Sequence, residues 1–448
     1  MKIKTAGIIL LLLAFVFCAG CGDETGGSSE STPKAEVKLP EYEITGDTVT
    51  LLCWNSQSEV TSETGAYYEA NKLLEENYNC SLKIIRTTYP ELPTKAAALV
   101  LSNSSPDLIF YKAQDFPSFI KNNIAAETTQ YVDFNDPLWS GLKDTYDIFK
   151  YQGKQYFMPY NKIYTDSLIF YWTSFFEDAG LDTPLEIYKK NPDDWTLSKL
   201  KEIMKDVTLD NNRDGIIDMY GLAMHPGEMY ICCGEDFATL DAQSGRYANN
   251  LRSPAFNQYM NFMFDTNADG DNTRLMALNH IADFTAKNAA MMWSQVWVFN
   301  TFAEEITSGA VEFVISPKVD DADEWYVKGR VDGYWMGYNC KNPGGAAAFI
   351  ACNAYMGANE EYKAQSRAKS KALYGWSDDI IALREEFDDG GKFKPLLLMT
   401  AHGLPEWGNT YQYNLWSDVS LFSGSWSACI DKYYPVLQGE IDKANGED

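Results

Sequence analysis

The sequence predicts an α/β fold whose sheets are rich in parallel strands and flanked by helices. One observation is that short apolar runs of strand length alternate with helical patterns between residues 48 and 110. A second is that this alternation resumes beyond Thr196. A third is size, because 448 residues with 45% hydrophobic content supply enough apolar material for two cores. Alternating strands and helices favour parallel pairing with right-handed crossovers.

The sequence between residues 48 and 110 predicts three strands with two helices between them. Apolar and β-branched runs mark the strands, and apolar residues three and four apart mark one face of the first helix. The predicted strands are 48–54, 82–85 and 107–110, the first helix carries Ala66, Ala70, Leu73 and Leu74 on one face, and the second helix is 94–101. This order predicts a parallel sheet.

Aromatic, amide and charged residues follow two of these strands. Ligands of parallel sheets bind beyond the carboxyl ends of the strands. The residues in that position after the first and third strands include Trp54, Asn55, Glu59, Tyr111, Lys112 and Asp115. We therefore expect these six residues at a binding site.

The segment 151–195 is dense in aromatic residues. It predicts a strand at 156–158 stopped by Pro159, a second strand at 168–171, and a helix at 175–179 that ends at Gly180. Most of its aromatic side chains fit a core. Tyr160, Tyr164 and Asp166 lie in the Pro-broken connection, where a core side chain is not expected.

The second half of the body repeats the pattern. Thr196 is a predicted N-cap, and the helix after it has the apolar face Leu200, Ile203, Met204 and Val207. A strand at 221–224 is followed by a loop that contains Glu228 and Tyr230. Further along, an apolar run leads to Trp293 and Trp297, which either share one buried helix face or separate into a core residue and a binding residue.

The N-terminus predicts targeting and attachment. Lys2 and Lys4 precede an apolar run at 6–17 that is too short to span a bilayer comfortably, so residues 1–20 are a predicted signal peptide. The ending Ala-Gly-Cys resembles the bacterial lipobox, with Cys18 in place of the usual Leu, and this makes Cys21 the expected lipidation site. The alternative is a signal peptide that is cut without lipidation. Residues 21–40 are polar and predict a flexible tether.

Charge and cysteine content exclude some classes of partner and scaffold. The net charge of −26 argues against nucleic acid or an anionic lipid surface as partner. Seven cysteines follow Cys21, and their odd number and irregular spacing disfavour a disulfide framework.

Several segments, taken in order, resemble the family-1 extracellular solute-binding proteins. Gly153-Lys154, Tyr156 and Pro159 precede an apolar strand ending in Tyr, as in that family. The matching segments beyond it are 284–292, with Lys287-Asn288 where Gly-Lys is usual, then Trp297, 331–338, 342–350, and Trp426 ahead of 433–435. The ordered match runs from about residue 48 to about residue 441.

The resemblance implies a type II, two-lobed periplasmic-binding-protein-like fold with a cleft and a hinge between the lobes. The expected N-terminal lobe is 41–161 plus about 325–358, and the expected C-terminal lobe is 162–324 plus about 359–448. The implied function is that of a monomeric, non-enzymatic substrate-binding subunit of an ABC importer. Such a protein is lipid-anchored on the extracytoplasmic face of the membrane, closes on a sugar or oligosaccharide, and partners the permease. The cleft residues carried by position are Trp54, Asn55, Glu59, Tyr111, Lys112, Asp115, Tyr160, Asp166, Glu228, Tyr230, Trp297 and Trp426.

The loop 210–218 matches the spacing of a calcium loop. Its oxygen donors would be the side chains of Asp210, Asn212, Asp214 and Asp218 and the carbonyl of Ile216, with Gly215 at the sixth position. The twelfth position is Gly221, so the usual bidentate carboxylate is missing. The alternative is a polar turn without an ion. We expect one structural Ca²⁺ here and no other cofactor, and we interpret the related segment 265–271 as a solvated turn.

No phosphate loop, zinc spacing or Ser-His-Asp pattern occurs in the sequence, and the three histidines show no pairing. Two alternatives to solute capture remain open from residues alone. A lipid-anchored glycoside hydrolase needs only two carboxylates, which are plentiful, and would release reducing sugar. A polymer-docking surface lipoprotein needs no closing cleft and would not compact on binding.

Overall fold

The computed structural model describes residues 37–110, 116–224, 229–267, 271–276, 279–388, 390–398, 404, 406–421 and 425–447. The chain divides into two compact units. Unit 1 is Met1–Lys162 with Val331–Ser366, and unit 2 is Ile163–Arg330 with Arg367–Asp448. These units change after Lys162, Arg330 and Ser366. The lobe boundaries expected from the family resemblance are residue 161, about residue 325 and about residue 358.

The first pass through unit 1 contains six strands and five α-helices among its described residues. In chain order they are β1 Thr48–Cys53, α1 Ser58–Thr61, α2 Tyr68–Tyr78, β2 Ser81–Arg86, α3 Leu92–Leu101, β3 Leu108–Ile109, α4 Ser118–Lys121, α5 Lys143–Ile148, β4 Lys150–Tyr151, β5 Lys154–Gln155 and β6 Phe157–Pro159.

The long middle segment forms most of unit 2. Its elements are β7 Tyr164–Thr165, β8 Leu168–Trp172, α6 Thr173–Ala179, α7 Pro184–Lys190, α8 Leu197–Val207, β9 Tyr220–Met224, β10 Ala238–Asp241, β11 Arg246–Asn249, α9 Asn257–Asp265, β12 Arg274–Met276, α10 His280–Thr285, β13 Ala289–Ser294, α11 Ala303–Ser308, β14 Val311–Ile315 and β15 Tyr326–Arg330.

The chain then returns to unit 1 and ends in unit 2. The remaining elements are β16 Gly333–Met336, α12 Pro343–Ala358, α13 Glu360–Tyr374, α14 Asp378–Phe387, β17 Lys394–Leu396, α15 Gln412–Leu421 and α16 Trp426–Asn445, with a π-helix at Trp407–Tyr411. The third passage between units, from Ser366 to Arg367, therefore lies inside α13.

Unit 1 is built on a five-stranded sheet of order β2-β1-β3-β16-β6. The strands β1, β2 and β3 are parallel, as predicted, whereas β16 runs antiparallel to β3 and β6. Helix α12 is apolar on all sides and buried, which is typical of a core helix. Asn342 caps it, and Gly344 is required because a Cβ there would lie 1.9 Å from the Glu43 carbonyl oxygen. The carboxyl ends of β1, β2 and β3 consequently share one edge of the sheet.

Unit 2 is built on a second five-stranded sheet, of order β12-β9-β13-β8-β14. Its strands β12, β9 and β13 are parallel, and β8 runs antiparallel to β13 and β14. Unit 2 also contains a smaller sheet, β17-β15-β7, and β10 and β11 form a hairpin. Thr196 caps α8 by accepting from the Lys199 amide, and α6 ends at Gly180 with φ of 66°, both as predicted.

The predicted α/β class is confirmed in both units. All seven cysteines in the described part of the chain are free thiols. None of the helices among the described residues is both long enough and apolar enough to cross a membrane.

Candidate functional site

In unit 1, aromatic side chains form a continuous series at the carboxyl ends of the parallel strands. The Trp54 ring stacks on Phe110 with centroids 5.2 Å apart, and its other ring contact is an edge-to-face one with Tyr89 at 5.0 Å. Phe110 in turn contacts Tyr334 at 5.4 Å, and Tyr334 contacts Tyr160 at 5.4 Å. The ends of β1, β2, β3 and β6 and the return strand β16 thus contribute to one cluster.

Exposure separates the outer members of this series from the inner ones. Tyr89 is 38% exposed and Trp54 is partly exposed, whereas Phe110, Tyr334 and Tyr160 are buried. The Trp54 indole Nε1 is itself buried and finds no acceptor within the described residues. Trp54 therefore has a partly accessible aromatic ring and a buried donor that no acceptor among the described residues satisfies.

Asn55 and Glu59 support the shape of this region. The Asn55 amide Nδ2 donates to the Tyr67 hydroxyl at 2.9 Å, and burial raises the pKa of that phenol well above its usual value. Glu59 lies in the first turn of the short helix α1, and its carboxylate accepts from the Ala66 amide at 3.0 Å. Both side chains are therefore already used to hold the loop between β1 and α2.

Three predicted residues of unit 1 and one of unit 2 lie outside the described residues. They are Tyr111, Lys112, Asp115 and Glu228. Sequence reasoning also missed Tyr89. The signal that could have found it is its position just beyond β2, because the rule on carboxyl ends was applied to the first and third strands only.

The expectation that Tyr160, Tyr164 and Asp166 avoid the core is wrong. They are 6%, 7% and 2% exposed. Tyr160 packs on Tyr334 in unit 1. In unit 2, Asp166 forms an ion pair with Lys328 at 2.6 Å, with both side chains buried. Pro159 is the last residue of β6, as predicted, but the connection that follows is enclosed by residues distant in the sequence.

Trp297 of unit 2 is exposed, whereas its neighbour Trp293 is core. Trp293 is on the fully buried strand β13 and donates from Nε1 to the Ser167 hydroxyl at 2.7 Å. Trp297 follows in the 3-10 helix Val296–Asn300, is 40% exposed, and donates to Gln295 Oε1 at 3.0 Å. The alternative that both share one buried helix face is therefore wrong.

Tyr230 and Trp426 lie in a buried aromatic cluster of unit 2. Tyr230 stacks on Phe237 at 4.0 Å and donates its hydroxyl hydrogen to Asp236. Trp426 is 4% exposed and lies nearly parallel to Phe237 at 6.5 Å. Trp416 contacts both Tyr230 and Phe237. The geometry gives these residues packing roles, and their participation in ligand binding stays a prediction.

The loop 210–218 folds around its own carboxylates. Asp210 accepts from the Gly215 amide at 2.9 Å, Asp214 accepts from the Ile216 amide at 2.8 Å, and Asp218 accepts from the Asn211 amide at 2.7 Å. Gly215 has φ of 85°, which glycine adopts freely. No group of three or more His, Cys, Asp or Glu side chains within the described ranges is placed to hold a metal ion.

A family model of bacterial extracellular solute-binding proteins matches residues 69–372, more than half of the 448 residues. The chain belongs to this family. Its members bind solutes outside the cytoplasm and are not enzymes. No curated protein has a significant sequence match to this family member.

Solved solute-binding proteins share the fold at low sequence identity. The ABC substrate-binding protein Lmo0181 from Listeria monocytogenes, in complex with cycloalternan, has a TM-score of 0.64 at 14% identity, over 90% of this chain and 99% of that one. The cyclic α-maltosyl-1,6-maltose binding protein from Arthrobacter globiformis has 0.64 at 14%, over 88% and 99%. UgpB from Mycobacterium tuberculosis, in complex with glycerophosphocholine, has 0.62 at 14%, over 88% and 98%. The likeness confirms the predicted two-lobed class of fold.

Proposed function

We propose that this solute-binding protein is the substrate-binding subunit of an ABC importer and captures a sugar or short oligosaccharide. Two of the fold relatives described above bind saccharides: one is in complex with cycloalternan, and the other is named as a cyclic α-maltosyl-1,6-maltose binding protein. The observation that carries the proposal is the aromatic series of unit 1, which ends in the accessible rings of Trp54 and Tyr89.

The chemistry of these side chains suits a sugar. Flat aromatic rings stack on the apolar C–H faces of pyranose rings. A buried donor left without a partner costs about 1–3 kcal/mol, and a sugar hydroxyl or ring oxygen would satisfy Trp54 Nε1. Trp297 offers a second accessible ring on unit 2. The Glu59 carboxylate and the Asn55 amide are already held by neighbouring protein groups.

Capture requires no covalent step. A ligand that binds the closed lobes better than the open ones shifts the population toward closure by its difference in affinity. The permease then recognises the closed form. Because the free energy comes from differential binding, a ligand that contacts only one lobe would bind without triggering transport.

A thermal-shift screen tests the ligand class. The mature protein is heated with cycloalternan, maltotetraose and other glycans, and with glycerophosphocholine as the non-sugar comparison. Binding to the native state stabilises the protein by about 2.7 kcal/mol when the free ligand concentration is a hundred times Kd. This stabilisation raises the melting temperature. A shift with glycerophosphocholine and with none of the glycans would refute the sugar proposal, and release of reducing sugar would favour a hydrolase.

The attachment proposal rests on the N-terminal sequence. A lipid on Cys21 and a tether over residues 21–40 would hold a monomeric body at the extracytoplasmic face of the membrane, within reach of the permease. The net charge of −26 would keep the body off an anionic bilayer surface, so the lipid would provide the attachment.

A structural Ca²⁺ in the 210–218 loop is proposed on the donor spacing. Asp210, Asn212 and Asp214 already turn oxygen atoms toward the amides of the same loop. A cation would neutralise the repulsion between these carboxylates and stiffen the connection from α8 to β9. It would contribute to stability and would not contact the ligand.

A further inference from the structure

The chain passes between the two units three times, and the first passage is held unusually firmly where it enters unit 2. It enters at Ile163, and Thr165 follows two residues later. All three polar groups of Thr165 bond to the last turn of α14. Its amide donates to Asp388 Oδ1 at 2.8 Å, its hydroxyl donates to the Phe387 carbonyl at 2.6 Å, and its carbonyl accepts from Arg384 Nη2 at 2.6 Å.

The end of α14 is locked by charge. Arg384 Nη1 donates to Asp388 Oδ1 at 2.9 Å, and the two side chains are 2% and 3% exposed. Buried charges are stable only when they are paired and hydrogen-bonded. Removing either partner would leave the other charge buried and uncompensated, so the turn that holds Thr165 depends on this pair.

A second buried pair joins the first two passages. The Asp166 amide donates to the Lys328 carbonyl at 2.8 Å, and Lys328 Nζ donates to Asp166 Oδ2 at 2.6 Å. Strands β7 and β15 pair here, with Gly329 opposite Thr165. Gly329 has no room for a side chain, because a Cβ would lie 2.8 Å from Ile163 Cγ2 and 3.0 Å from Pro395 Cβ.

The same passages are fixed again on the unit 1 side. The Asp332 amide donates to Asn161 Oδ1 at 3.0 Å, Asn161 Nδ2 donates to Asp332 Oδ2 at 3.3 Å, and the Tyr160 amide donates to the Asp332 carbonyl at 3.1 Å. Strands β7 and β15 also pair Tyr164 with Arg330. Lys162 and Ile163 on the first passage and Val331 on the second therefore lie between the two sets of bonds. The third passage, inside α13, is tied to α14 through Arg367 and Glu385 at 2.8 Å.

We propose that Arg384 and Asp388 are positioning residues for solute capture, which lock the end of α14 onto Thr165 and so confine backbone rotation on the first two passages to Lys162–Ile163 and Val331. The inference rests on the proposed function, since the confinement matters only if the lobes move. A narrow rotation axis leaves few relative orientations to be ordered when the ligand binds, which lowers the entropy lost on closure.

Hydrogen–deuterium exchange of the ligand-free protein tests the lock. Arg384→Met should speed exchange of the Thr165 and Asp166 amides by about tenfold or more, while β8 and β13 keep wild-type protection. Arg246→Met is the matched control, because Arg246 pairs with Glu447 at the exposed surface of the same unit, and it should change neither segment. Thr165→Val keeps both charges and removes only the hydroxyl bond, so it serves if Arg384→Met does not fold, and it should give a smaller increase at the same amides.

A distance measurement tests the consequence for motion. Fluorophores attached through unnatural amino acids at Ser140 of unit 1 and Ser308 of unit 2, both exposed, report the spread of inter-unit distances. Arg384→Met, or Thr165→Val in its place, should broaden the ligand-free distribution, and Arg246→Met should not. An unchanged distribution, unchanged exchange at Thr165, or an equal rise of exchange throughout unit 2 would overturn the proposal. Neither readout uses a ligand, so a failed glycan screen would refute the proposed function and leave this result standing.

Discussion

Replacing Trp297 with Ala should weaken sugar binding and leave the protein folded. The side chain is 40% exposed, and its indole Nε1 donates locally to Gln295 Oε1. Loss of an aromatic stacking surface costs roughly 1–3 kcal/mol of binding free energy. At 1.4 kcal/mol per factor of ten, Kd should rise about fivefold to 150-fold.

Trp297→Ala should lower the free energy of unfolding less than Trp293→Ala does. Full burial of a large apolar side chain contributes about 1.5–3 kcal/mol, so a side chain with 40% of its surface exposed should lose about 1–2 kcal/mol on truncation. Trp293 is the matched control within the same segment. Trp293→Ala removes a fully buried indole together with its hydrogen bonds to the Ser167 and Ser316 hydroxyls, so we expect about 3–5 kcal/mol of destabilisation.

Two measurements on the two variants decide the matter. Denaturant unfolding gives the change in stability, and calorimetric titration with the glycan that shifts the melting temperature most gives the change in Kd. If Trp297→Ala loses as much stability as Trp293→Ala and the folded fraction binds normally, Trp297 is a packing residue. If stability and Kd are both unchanged, Trp297 is an exposed residue outside the site.

Three further outcomes are expected. Cys21→Ser should release the protein from the membrane fraction and stop incorporation of labelled palmitate, and unchanged labelling would contradict lipidation at this residue. Chelation with EGTA should lower the melting temperature of the wild type but not of Asp214→Ala, and a structure solved in millimolar calcium with no ion in the loop would count against the site. Trp54→Phe keeps a ring against Phe110 but removes the unsatisfied Nε1 donor, so ligand affinity should fall by about 0.5–1.5 kcal/mol without loss of stability, and an unchanged Kd would show that the ligand does not use this donor.

The regular elements could be predicted because their signals are local. The strand predicted at 48–54 is β1 at Thr48–Cys53, and the helix capped by Thr196 is α8 at Leu197–Val207 with the predicted apolar face buried. Strand composition, helical period and capping chemistry depend on neighbours within a few residues. The parallel order of β1, β2 and β3 followed from the alternation of elements, because a helix between two strands returns the chain to the same end of the sheet.

The burial of Tyr160, Tyr164 and Asp166 could not be predicted in the same way. A proline shows where a strand stops, but it carries no information about what covers the residues beyond it. Thr165, in this connection, is enclosed by the end of α14, more than 200 residues later in the sequence. The carboxylate of Asp166 is buried because Lys328 neutralises it, and that partner becomes adjacent only when β7 and β15 pair.

The aromatic residues show why a site is harder to predict than a fold. Trp293 and Trp297 are four apart, a spacing that would place them together on a helix, yet a strand ends between them and only the second is exposed. Tyr230 stacks on Phe237 and is buried, although it follows a predicted strand as Trp54 does. Residue type and spacing are alike in these cases, and the difference lies in what tertiary packing leaves uncovered. Tyr89 is the opposite case, a residue that was not predicted. Nothing in its local sequence distinguishes it from an ordinary loop tyrosine. Only the pairing of β2 with β1 brings the carboxyl end of β2, and with it Tyr89, beside Trp54.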